Sequence, residues 1–81
     1  MHISDEVRAV LIQRGFSTSD ATTYKRTIAT GGAFGFTTQT VQIDQTGRWL
    51  EHVDGWGTVQ RDVDLRDYAG RASDAVDRVL E

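Results

Sequence analysis

The chain has 81 residues, 38% of them hydrophobic and 26% charged, with a formal net charge of −3 and no cysteine. That length makes one compact domain over residues 1–81, whose single small core contributes only about 3–5 kcal/mol and leaves little room for two independent sites. The lack of cysteine excludes disulfides and thiolate metal centres and points to a reducing cytoplasm, while no apolar run approaches the roughly 18 residues that cross a bilayer, so no membrane is expected.

The first element expected is a helix over about residues 4 to 14. Ser4 suits an N-cap, Asp5 and Glu6 favour the positive end of the helix dipole, and Val7, Val10 and Leu11 form an apolar stripe. Gly15 stands where a C′ residue needs positive φ, with Phe16 placed to pack back on Leu11. Residues 17 to 20 read as a polar turn. Thr22 to Thr30 fits helical spacing through Ala21, Tyr24 and Ile28, but its four threonines and the shared face of Tyr24 and Ile28 favour a strand.

Three glycines in Gly31-Gly32-Ala33-Phe34-Gly35 break any regular element. Phe36 to Asp44 then alternates, with Val41 and Ile43 on one face and Thr38, Thr40 and Gln42 on the other, and Gln45-Thr46-Gly47 turns the chain into a strand from Arg48 to Val53. Asp54-Gly55-Trp56-Gly57 is a second turn, followed by a short strand over Thr58 to Val63 with Val59 and Val63 pointing together. Leu65, Tyr68, Ala69, Ala72, Val76, Val79 and Leu80 fall within about a 120° arc at roughly 100° per residue, which predicts a terminal amphipathic helix capped by Asp64. Asp62 with Arg66, Asp67 with Arg71 and Asp74 with Arg78 are spaced for i,i+4 pairs on its solvated side. No internal repeat, low-complexity tract or linker is evident.

The expected order is therefore α-β-β-β-(β)-α: an α+β fold, a small two-layer sandwich in which a three- or four-stranded antiparallel meander carries both terminal helices on one face.

Candidate chemistry is sparse. His2 and His52 are the only histidines, and His52 has only Asp54 nearby in sequence, too few ligands for a metal. No serine lies in a Gly-x-Ser-x-Gly elbow. Gly32-Ala33-Phe34-Gly35 has the spacing of a GxxG loop but places Ala-Phe where a nucleic-acid loop carries basic residues, and no Gly-Lys-Ser/Thr ending follows. Neither an enzyme, a cofactor nor a metal is expected.

The remaining signal is aromatic. Phe34 and Trp56 flank glycines at loop and turn tips, and Trp49 and Val53 alternate with Leu50 on opposite faces of one strand, so one set is expected to be less buried, with one tryptophan in the core and the other over a sheet edge. Phe34, Trp56, Leu50 and Trp49 are the candidate anchors for a protein partner, including a second copy of the chain. Such a non-enzymatic module would serve as an inhibitor, an antitoxin or a phage-encoded accessory protein.

The alternative is a nucleic-acid binder on the open sheet face, with Lys25, Arg26 and Arg48 on phosphates and Tyr24 or Trp49 stacking on bases. Charge ranks it second, because residues 51–81 carry four basic and eight acidic groups, a net −4. A small oligomeric enzyme or ligand carrier ranks third, since two thin layers offer little room for a pocket.

Overall fold

The computed structural model describes residues 3–18, 20, 22–29, 31 and 35–81. Helix α1 spans Ile3–Gln13 and buries Ser4, Val7 and Leu11. Ser4 is thus inside the helix and packed under it, rather than its N-cap. The far end follows the sequence signal. Gly15 adopts φ 90°, its N–H donates to the Ile12 carbonyl, and the Phe16 N–H donates to the Leu11 carbonyl. These two bonds make a Schellman cap, and the accompanying apolar contact is supplied by Leu11 and Phe16, both in the core.

The chain then forms a five-stranded antiparallel meander in sequence order: β1 Ser17–Thr18, β2 Thr23–Ala29, β3 Phe36–Ile43, β4 Trp49–Val53 and β5 Val59–Asp64. Strand β1 replaces part of the turn expected at residues 17 to 20. It pairs Ser17 with Lys25 and Thr18 with Tyr24. Within the ambiguous Thr22 to Thr30 segment, Thr23–Ala29 is a strand, because Tyr24 faces the core opposite Val41.

Strand β5 departs from simple alternation. His52 pairs with Arg61 but Val53 pairs with Val59, so Gln60 is an extra residue, a β-bulge. The bulge separates two valines expected to point together: Val63 is buried on the helix side, whereas Val59 sits beside Val53 and is 45% exposed.

The expected last helix is broken in two. Leu65–Tyr68 is one turn of 3-10 helix, capped by the Asp64 carboxylate accepting from Arg66 N–H, and helix α2 runs from Ala72 to Leu80. Gly70 between them takes φ 76°, outside any right-handed helix. Two of the three anticipated i,i+4 pairs give way to other partners, and Arg71 meets Asp67 through the latter's backbone carbonyl rather than its carboxylate. Arg66 and Arg48 both meet Asp64, Arg78 and Arg61 meet Glu81, and Arg14 meets Asp77 on α2.

Both helices lie on one face of the sheet. Val7 and Leu11 of α1, Ala75, Val76 and Val79 of α2, and Leu65 close over Tyr24, Val41, Ile43, Leu50 and Val63 in one core. The opposite face is open. Hairpin β2–β3 runs beyond its neighbours, since β1 reaches only Lys25 and β4 pairs only with Thr40 to Ile43.

Candidate functional site

Two turns of one construction join β3 to β4 and β4 to β5. In the first, Gly47 (φ 72°) donates to the Asp44 carbonyl, and Asp44 Oδ1 accepts from the N–H groups of Arg48 and Trp49 at 2.9 and 3.0 Å. Ten residues on, Gly57 (φ 82°) donates to the Asp54 carbonyl and Asp54 Oδ1 accepts from Trp56 and Thr58 N–H, both at 2.9 Å. Each aspartate ties down its whole turn. Asp64 repeats the role for the 3-10 turn, so Asp44, Asp54 and Asp64 form a ten-residue recurrence, each directly following a buried Ile43, Val53 or Val63.

The electrostatics follow from these bonds. Hydrogen bonds from the Arg66 side chain, then from its N–H and from Arg48, bring the Asp64 carboxyl down to about 2 against its desolvation. Asp44 is pushed up by desolvation and pulled further down by hydrogen bonds from Trp49, Thr46, Arg48 and Gly47, for a net lowering. Glu51 goes the other way, raised by desolvation and then by the negative charges of Asp62 and Asp44.

On the open face, cross-strand rows place Lys25, Thr40, Val53 and Val59 side by side, and next to them Thr23, Gln42, Glu51 and Asp62. A groove of about 310 Å³ runs between the threonines at 38 and 40, Lys25 and the Asp54–Gly57 turn. A second hollow of about 440 Å³ lies between α1 and the start of α2, lined by Glu6, Val10 and residues 70–74, and it contains none of the anticipated anchors.

The anticipated anchors separate. Trp56 is 93% exposed at the tip of its pinned turn. Leu50 is the opposite, wholly buried at the centre of the core between Ile43 and Val63, so it is no surface anchor. Trp49 is half-buried with the Arg48 guanidinium 5.0 Å over its ring, so neither tryptophan belongs to the core, which Leu50 occupies instead. Phe34, with Gly32 and Ala33, lies outside the described residues. Three further large apolar groups are exposed among the described residues: Ile12 on α1, Val59, and Phe36, which is 73% exposed across from Ala29. Alternation pointed to Val59 as a core residue, and only the bulge at Gln60 turns it outward.

The residues of the nucleic-acid alternative do not assemble into one platform. Tyr24 is 3% exposed and belongs to the core, so it cannot stack on a base. Arg26 lies 4.7 Å over the Phe16 ring and donates to Gln39 Oε1 and the Arg14 carbonyl. Arg48 is paired with Asp64 at 3.1 Å, and Lys25 stands exposed among the threonines. His52 is half-buried on the helix side between Val41 and Arg61, and among the described residues no group of three His, Asp or Glu side chains could hold a metal. No protein family, no curated protein and no solved structure matches this chain.

Proposed function

We propose that this chain is a small non-enzymatic protein-binding module, of the inhibitor, antitoxin or phage-accessory kind, that works in the cytoplasm and anchors on a polypeptide partner through Trp56. One observation carries the reading: a tryptophan 93% exposed on a turn that is itself held by hydrogen bonds to Asp54. An indole left in water forgoes the burial that stabilises most tryptophans, and a fixed turn lets it enter a partner's pocket with little further loss of backbone entropy. Aromatic anchors of this kind dominate interface energies. The adjoining polar face and the net charge of −4 over residues 51–81 suit a partner with a basic rim around an apolar pocket.

The experiment compares wild-type chain and Trp56→Ala as baits in the same lysate, with bound proteins identified by mass spectrometry and their affinities measured. The substitution should leave the melting temperature near wild type and weaken a specific association by at least about 2 kcal/mol. A partner that binds both baits equally, or a nucleic acid bound in a salt-sensitive way by both, overturns the reading.

A further inference from the structure

The edges of the sheet are not equally defended. On β2 the direction of the backbone groups can be read from one bond, Ile43 N–H to the Thr22 carbonyl at 2.8 Å, which makes residues 22 and 43 a hydrogen-bonded pair. Alternation then turns the N–H and C=O of Tyr24, Arg26 and Ile28 toward β3, and those of Thr23, Lys25, Thr27 and Ala29 toward the outer edge. The first two outward groups are met by β1: Thr18 Oγ1 donates to the Thr23 carbonyl at 2.7 Å, and Ser17 Oγ donates to the Lys25 carbonyl at 3.4 Å. Strand β1 ends there. Thr27 and Ala29 thus present two donors and two acceptors with no strand beside them, on a two-stranded extension that by itself is marginal in water.

We infer that this free edge pairs with the same edge of a second copy, as an antiparallel junction with its two-fold axis at Ile28. That register sets Thr27 opposite Ala29 of the second copy, and each residue contributes one donor and one acceptor per chain. Both outward residues of both chains are then satisfied, and pairing stops where β1 begins. Ile28 meets its own counterpart in the close, non-hydrogen-bonded pair, where β-branched side chains contribute most. No charged residue lies between positions 27 and 29. Phe36, across from Ala29 and 73% exposed, then lies in one row with the second copy's Thr27, with only the small Ala29 between them.

The other edges resist the same pairing. On β5 a two-fold register centred on residue 61, 62 or 63 sets Arg61 against Arg61, Asp62 against Asp62, or Asp62 against Asp64, and the bulge at Gln60 interrupts the strand. The free stretch of β3, residues 36–38, has the Asp54–Gly57 turn beside Thr38. The junction uses no part of the Trp56 turn, so the two readings fail separately.

Sedimentation equilibrium of the full chain, with single-cysteine cross-linking, tests the junction. Because the chain has no cysteine of its own, Ile28→Cys should form a disulfide dimer under mild oxidation, its two Cα atoms being about 4.5 Å apart in such a pair. Thr37→Cys, the matching centre on the β3 edge, should not. Thr27→Pro removes one outward N–H and no internal hydrogen bond, so it should keep the wild-type far-UV spectrum and sediment as monomer. Trp56→Ala should remain dimeric. A wild-type chain that stays monomeric up to millimolar concentration, or one that cross-links through Thr37→Cys and not through Ile28→Cys, overturns the inference; should Thr27→Pro misfold, the cysteine pair still decides.

Discussion

Gly47 and Gly57 hold equivalent places in the two turns, both with positive φ, yet their surroundings differ. A Cβ at Gly57 would meet nothing within 4 Å, whereas one at Gly47 would stand 3.3 Å from Ser4 Oγ. Gly57→Ala should therefore cost only the left-handed backbone penalty, about 1–2 kcal/mol. Gly47→Ala should cost more, and adding Ser4→Ala should recover the difference in thermal melts. Asp64 contributes to the acid response, together with Asp20, Asp44 and Asp77, whose carboxyl pKa values are also lowered. Its folded pKa of about 2 lies below the unfolded value near 3.9, so its ionised form stabilises the fold fully above about pH 4 and that contribution is lost as the pH falls through 2. Asp64→Asn should lower stability at neutral pH and flatten the loss between pH 4 and 2, read from acid-unfolding curves. The role of Asp64 as a cap was legible because a short acceptor before an apolar stripe is a local signal. Its two arginine partners were not, since Arg48 comes from the preceding turn.

At the scale of elements, the choice between Trp49 and Leu50 shows how a strand with apolar groups on both faces is resolved. Leu50 stands between Ile43 and Val63 under α2, while Trp49 pairs with Asp64 on the open side. Leu50→Ala should cost about 2–5 kcal/mol and lower the melting temperature accordingly, in contrast to Trp56→Ala. Alternation alone could not say which face the helices would cover. The terminal stripe misled in a similar way. Its apolar residues do share an arc, which alone cannot show where a helix is interrupted. Gly70 turns the chain, which lets Leu65 and the Ala72–Val79 face reach the core from two separate segments.

For the whole molecule, the helices and most of the sheet share one core, and the principal extents are 42 × 23 × 23 Å. The two proposed surfaces, the Trp56 turn and the β2 edge, come from separate parts of the meander. The sequence by itself determined α1 and its Schellman end, strands β3 and β4, the glycine turns at residues 45–47 and 54–57 and the α+β class, and it favoured a strand over a helix for β2, because the residues of each signal lie within a few positions of one another. Only the tertiary structure decided that Tyr24 and Leu50 are core, that Gln60 bulges and turns Val59 outward, that β1 covers just the first part of β2, and which acid each arginine meets. Those outcomes depend on register and on which face the helices occupy, and contacts between residues distant in sequence fix both.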